Sequence, residues 1–134
     1  MKKFLLGFAI IISCLVFSQE VKMKKGIVYE DGKEVLKYTS QSNQTTYSTL
    51  EGNKILYIDF VPNNSRADAS YFKVGFYDSD ETATMKNNIS PKRILVYLIN
   101  ESVLEKGKLN VQNISNFIKR YDEKFEESII RHSY

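Results

Sequence analysis

The 134-residue chain predicts an α+β domain, an antiparallel β-sheet built from hairpins followed by two C-terminal helices packed on one face. Three observations carry this expectation. Two glycine-bearing turns, Asp31-Gly32 and Gly52-Asn53, each sit between segments in which apolar and polar residues alternate, the pattern of half-buried strand pairs. Further along, Phe72, Val74 and Phe76 resume the alternation. Past Ser90 the apolar spacing changes to three and four, the period of an amphipathic helix. Strands first and helices last is the order of a segregated α+β fold.

Residues 26–38 hold the first hairpin. The Asp31-Gly32 turn sets Glu30 opposite Lys33, and counting back pairs Tyr29 with Glu34, Val28 with Val35 and Ile27 with Leu36. Ile27, Tyr29, Leu36 and Tyr38 then share the expected core face, while Glu30, Lys33 and Lys37 surround the Val28 and Val35 pair on the solvent side. After a polar stretch over residues 39–46, the device returns in residues 49–60. A Gly52-Asn53 turn sets Glu51 opposite Lys54; Leu56, Ile58 and Phe60 face one way with Tyr47 and Thr49 across from them, and Ile55, Tyr57 and Asp59 the other. Both hairpins close with Glu-x-x-Lys, but two copies with little else in common do not make a repeat array.

Pro62 and the polar residues through Ala69 predict a surface loop. In the strand that follows, Tyr71, Lys73, Gly75 and Tyr77 lie opposite the Phe72, Val74 and Phe76 face, and Gly75 marks a bulge or a weak point. Asp78-Ser79-Asp80-Glu81 turns the chain into a weaker strand over residues 82–85. Ser90 caps and Pro91 opens a helix whose apolar face runs through Ile94, Leu95, Leu98 and Ile99 to Val103. Gly107 between Lys106 and Lys108 is its expected left-handed stop. Asn110 caps a second helix, with Val111, Ile114, Phe117, Ile118, Tyr121 and Phe125 at helical steps and the stripe running on to Ile129. A link of residues 105–109 makes the two helices neighbours able to cover one face of the sheet.

Residues 1–19 read as a secretory signal peptide, leaving 20–134 as a single domain. Lys2 and Lys3 form a positive start, residues 4–12 an apolar centre, and Ser18-Gln19-Glu20 the return of polarity where a peptidase cuts. A retained anchor needs roughly 20 apolar residues, and this run is shorter and interrupted. Ile11-Ile12-Ser13-Cys14 has the form of a lipoprotein processing site, yet Leu15, Val16 and Phe17 continue the apolar run where a polar tether belongs. Removing the leader takes with it Cys14, the chain's 1 cysteine, and so excludes disulfides, thiolate nucleophiles and cysteine metal sites. It also takes Lys2 and Lys3 from the 19 basic residues, leaving 17 against 16 acidic ones. Such a balance gives no basic footprint for nucleic acid and no membrane-binding stripe.

Chemical motifs are sparse. His132, the 1 histidine, lies in a tail of the kind that frays, with no nucleophile and orienting partner beside it in sequence. No nucleophile elbow, zinc motif, phosphate loop or Cys-x-x-Cys occurs. Asp78, Asp80 and Glu81 are the best carboxylate cluster for a hard cation, but the calcium-loop glycine and the closing glutamate are missing, so a polar turn is the expectation and no metal or cofactor is assigned. Glu123, Glu126 and Glu127, interleaved with Lys119, Arg120, Lys124 and Arg131, read as a salt-bridged helix face.

The 9 tyrosines are the one compositional excess that points to recognition, since each offers a rigid apolar ring with a polar tip. Tyr57, Tyr71 and Tyr77 fall on the outer side of the expected sheet and are the candidate binding residues. Tyrosine is also a favoured strand former, and structure alone explains most of the 9.

The leader ending Phe17-Ser18-Gln19-Glu20, with Lys25-Gly-Ile-Val-Tyr-Glu-Asp-Gly-Lys33, resembles small exported proteins of the Bacteroidota whose role is generally unassigned. The resemblance implies a periplasmic or secreted setting and brings no catalytic residues. The expectation is a non-catalytic exported module that binds a protein, peptide or glycan through the outer face or edge of its sheet. The alternatives are a small envelope hydrolase acting through Asp78, Asp80 and Glu81, and a purely structural envelope protein.

Overall fold

The computed structural model of the chain describes residues 20–63 and 69–126. It is α+β: a 7-stranded antiparallel sheet in which each strand pairs with its neighbours in sequence, followed by two helices and a short strand pair. The strands are β1 (Val21–Lys24), β2 (Ile27–Glu30), β3 (Lys33–Gln41), β4 (Gln44–Ser48), β5 (Lys54–Val61), β6 (Tyr71–Phe76) and β7 (Ser79–Lys86). Helix α1 (Pro91–Asn100), the two-residue strands β8 (Leu104–Glu105) and β9 (Lys108–Leu109), a 3-10 turn (Val111–Asn113) and helix α2 (Ile114–Tyr121) complete the fold.

The sheet turns back on itself by local backbone chemistry. Asp31 (φ 52) with Gly32 (φ 83), and Lys25 (φ 51) with Gly26 (φ 81), put both central residues of a two-residue turn at positive φ, the geometry whose twist matches that of paired strands. One face of the sheet carries Val28, Leu36, Tyr47, Leu56, Ile58, Val74, Ala83 and Met85, all buried. Against it lie Ile94, Leu95 and Leu98 of α1 and Ile114 and Phe117 of α2, equally buried. Helix α1 packs towards β1 and α2 towards β7, so the pair spans the sheet from edge to edge. Phe117 meets Phe76 edge-on at 6.4 Å, a favoured aromatic geometry.

The first hairpin departs from the simple count. Glu30 faces Lys33 and Tyr29 faces Glu34 as expected, but a bulge between Val28 and Tyr29 slips the register so that Val28 pairs with Leu36 and Ile27 with Lys37. The extra residue brings Val28 and Leu36, each 1% exposed, into the core together and leaves Ile27 and Tyr29 half-buried on the other face. Strand β1, not expected from the residue pattern, pairs with β2 through the Lys25-Gly26 turn. Residues 39–46, polar throughout, form the β3–β4 hairpin, with Thr39 opposite Thr46 and Ser40 opposite Thr45.

The second hairpin closes differently from its expected two-residue turn. Lys54 pairs with Ser48, not Glu51, and residues 49–53 form the loop. Thr49 organises it, its N–H donating to the Asn53 carbonyl at 2.8 Å and its Oγ1 accepting from Asn53 N–H at 3.1 Å. The faces of β5 fall as expected, with Leu56 and Ile58 in the core beside Tyr47. Of the acidic turn, only Asp78 turns the chain, since Ser79, Asp80 and Glu81 already belong to β7.

Both helices are shorter than their apolar patterns. Ser90 caps α1, its Oγ accepting from Arg93 N–H at 3.2 Å, with Pro91 in the first turn. The helix ends at Asn100, and Val103 is buried from the loop beyond it. Gly107 (φ 81) is left-handed as expected, but with Lys106 (φ 51) it turns the β8–β9 hairpin instead of stopping a helix. Asn110 Oδ1 accepts from Gln112 N–H at 3.3 Å and caps the 3-10 turn. Helix α2 stops at Tyr121, so Phe125 leaves the helical stripe. Ile129, Glu127, Arg131 and His132 lie outside the described residues, as does the expected leader with Cys14.

Candidate functional site

The face of the sheet turned away from the helices carries the candidate tyrosines, and register places them. Thr39 pairs with Thr46, Thr46 with Tyr57, Tyr57 with Gly75 and Gly75 with Thr82, making one continuous row across β3 to β7. Gly75 decides how the row is built. An alanine Cβ there would lie 2.1 Å from Tyr57 Cζ, so the tyrosine ring occupies the space a side chain at position 75 would fill. Tyr77, 47% exposed, meets that ring edge-on with centroids 5.7 Å apart. Tyr57 and Tyr77 are therefore a prepositioned aromatic pair in a hydroxyl-bearing row.

Tyr71 is not part of that exposed pair. It is 5% exposed, because the chain leaving α2 crosses the β7 edge and lays Phe125 on its ring, stacked at 5.4 Å and 8°. Residues 122–126 form a strap pinned to β7. Asp122 Oδ1 accepts from Thr84 N–H at 2.9 Å and from the Thr84 hydroxyl at 3.2 Å, and Glu123 N–H donates to the Thr84 carbonyl at 2.8 Å. Phe125 N–H donates to Thr84 Oγ1 at 2.8 Å, and Lys86 N–H to Glu123 Oε2 at 2.8 Å. Glu126 closes the strap on Lys73 at 3.0 Å.

Thus Glu123 and Glu126, expected on a salt-bridged helix face, bond to the sheet. Glu126 holds the Lys73 ammonium above the usual lysine range, chiefly through this hydrogen bond, against the opposing effect of burial. Lys73 stands opposite Asp59 in register. Asp59 Oδ1 is buried and makes no hydrogen bond among the described residues. Burial first, and the Glu126 carboxylate second, raise the Tyr71 phenol.

Asp78, Asp80 and Glu81 do not converge. Asp78 is in the turn, whereas Asp80 and Glu81 are consecutive and exposed in β7, unpaired at the register shift beside Gly75 and Phe76. Among the described residues no group of three metal-ligating side chains is gathered. The interior void beside Val28, Leu36, Leu95 and Leu104 measures about 10 Å³, the room of one water molecule. The depressions beside Glu101 and Arg120, and beside Glu105 and Lys108, open broadly to solvent. Glu30 is the described carboxylate with a raised pKa, from burial first, then Asp31, with Lys106 opposing; no nucleophile or second acid faces it across the void.

No described helix is long and apolar enough to cross a membrane. Comparison with protein-family models, with curated proteins and with solved structures gives no match. The comparisons therefore contain no evidence of an enzyme.

Proposed function

We propose that the chain is an exported, non-catalytic binding module that meets a protein, peptide or glycan with the Tyr57 and Tyr77 face of its sheet. One observation carries the reading. Tyr77 is 47% exposed yet held edge-on against Tyr57, whose ring is seated over Gly75. Ordered, amphipathic rings lose little conformational freedom on binding and dominate contact energies where they occur in interfaces. The opposite face is consumed by the core, and the carboxylates of the hydrolase alternative are not among any gathered group of three ligating side chains in the described residues. The leader reading over residues 1–19 and the resemblance to small exported Bacteroidota proteins support a periplasmic or extracellular setting.

Two measurements test this. Intact mass of the protein purified from its host's envelope and medium should begin at Gln19 or Glu20; a chain starting at Met1 defeats the export reading. Glycan and peptide arrays probed with the purified protein should give a ligand whose binding is lost in Tyr77→Ala and in Tyr57→Ala. Equal binding by all three proteins removes this face from consideration.

A further inference from the structure

We propose that the edge of the sheet at β1 binds an extended peptide of alternating acidic and apolar residues, which joins the sheet as an additional strand. The two edges of this sheet are finished differently. At β7 the strap takes up the outward backbone groups of Thr84 and Lys86. At β1 the strand pairs with β2 alone, and no described residue bonds its outer side. Such an edge is a template for an incoming strand.

The direction of its groups follows from one contact. Asp31 N–H donates to the Glu20 carbonyl at 2.8 Å, and inward and outward bonding alternates along an antiparallel strand. Glu20, Lys22 and Lys24 therefore bond towards β2, and the backbone groups of Val21 and Met23 face away. The side chains alternate as well. Val21 is 2% exposed in the core layer, Met23 accepts a hydrogen bond from the Tyr47 hydroxyl at 3.8 Å, and Lys22 and Lys24 are exposed on the opposite face. Lys24 continues into a row with Ile27 and Lys37, and Lys25 follows in the turn. Carboxylates also stand nearby: exposed Glu34, half-buried Glu30 opposite Val21, exposed Asp31, whose Oδ1 accepts from Glu20 N–H at 2.9 Å, and Glu20 itself, whose pair with Lys22 at 3.3 Å joins side chains 65% and 66% exposed; pairs so open to water are weak.

This pattern selects its occupant by charge. A second copy pairing antiparallel about Met23 would set Lys22 opposite the other copy's Lys24, and like charges directly opposite are destabilising. An incoming strand with carboxylates opposite Lys22 and Lys24 turns the same groups to attraction, while apolar residues opposite Val21 and Met23 extend the core layer. The site lies at the β1 edge, with β2, β3 and β4 between it and Tyr57 on β5, so Tyr77→Ala leaves it intact and either reading fails without the other.

The test is anisotropy titration of the purified protein with a dansyl-labelled hexapeptide of alternating glutamate and valine, in low and moderate salt. The peptide should bind more weakly as salt rises, the lysine–valine counterpart should not bind, and amide exchange should slow at Val21 and Met23. Lys22→Glu with Lys24→Glu should weaken binding at least about tenfold, in line with the cost of opposing charges. Met23→Pro, which removes an outward donor where an edge strand tolerates proline, should weaken it comparably while circular dichroism stays unchanged. Absence of binding, equal binding by both variants, or binding without protection at Val21 and Met23 overturns the proposal. Concentration-dependent dimerisation of the protein alone through β1 also overturns it, in favour of a second copy.

Discussion

Gly75 does its work by having no side chain. In the middle of a sheet a glycine weakens a strand, and here the vacancy is filled by the ring of Tyr57 from the paired strand. The atoms an alanine Cβ would meet are Cζ, the hydroxyl and Cε1 of that ring, at 2.1 to 2.5 Å, the far end of a side chain that is able to swing away. Gly75→Ala should therefore leave the fold intact and unseat Tyr57, breaking its edge contact with Tyr77. The stability lost should be about that of an aromatic pair, 0.5–1.5 kcal/mol. A double-mutant cycle in urea denaturation checks the cause: Gly75→Ala should cost almost nothing once Tyr57 is already alanine. A cost that persists in the Tyr57→Ala background would place the strain in the backbone instead. The tyrosines' shared face was legible in the sequence, because alternation fixes sides; burial of Tyr71 was not, since the ring that covers it arrives from Phe125, 54 residues along the chain.

At the level of elements, the glycine turns and the Ser90-Pro91 start were legible because their chemistry is local. What escaped depended on partners distant in sequence. The bulge at Val28 is invisible to a count from the turn, and only the core's demand for Val28 beside Leu36 reveals it. The β3–β4 hairpin has no apolar alternation because its outer end reaches beyond the core, with residues 39–44 exposed. Phe125 kept helical spacing without belonging to α2, because the helix breaks at residues 122–124, where the chain bonds to β7 before turning helical again at Phe125. Two substitutions measure what these connections hold. Gly107 is left-handed and an added Cβ would lie 2.2 Å from the Val35 backbone carbonyl oxygen, which no side-chain movement relieves. Gly107→Ala should cost about 3 kcal/mol, combining left-handed strain with overpacking, and a thermal melt shifted by no more than a surface substitution would show that the β8–β9 hairpin yields freely. Asp122→Ala strips two acceptor contacts from Thr84, itself 4% exposed. An unsatisfied buried donor costs about 1–3 kcal/mol, so amide exchange at Thr84 and Lys86 should accelerate while that of Ile58 in the sheet centre holds. Uniform acceleration would mean that the strap is part of the global fold and not a separable cover.

The whole molecule is a sheet with one face closed by helices and its aromatic side chains divided between the closed and the open face, and that division sets its response to alkali. Tyr47 is fully buried, and burial first, with neighbouring Tyr38 second, pushes its phenol far above the ordinary range. Burial also raises Tyr71 and Tyr121, with Glu126 and Glu101 respectively adding to the shift and Lys73 and Arg120 opposing it. The folded chain thus holds these protons more tightly than the unfolded chain, whose tyrosines ionise near about pH 10. Below that pH neither state gives them up and folding is indifferent to pH through these groups. Above it the unfolded chain alone releases protons, so stability falls as pH rises. Lys73, raised by its bond to Glu126, acts in the same direction over the lysine range. The melting temperature should therefore drop steeply from about pH 10 upward. Tyr47→Phe removes the largest of these shifts and forfeits only the hydroxyl's 3.8 Å contact with Met23 Sδ, worth no more than about 1 kcal/mol near neutrality. Melts followed by circular dichroism across this range should show a shallower alkaline fall in Tyr47→Phe than in the parent protein. Parallel falls would instead assign the alkaline loss to the exposed lysines and their ion pairs, and would mean that Tyr47 ionises without opening the core.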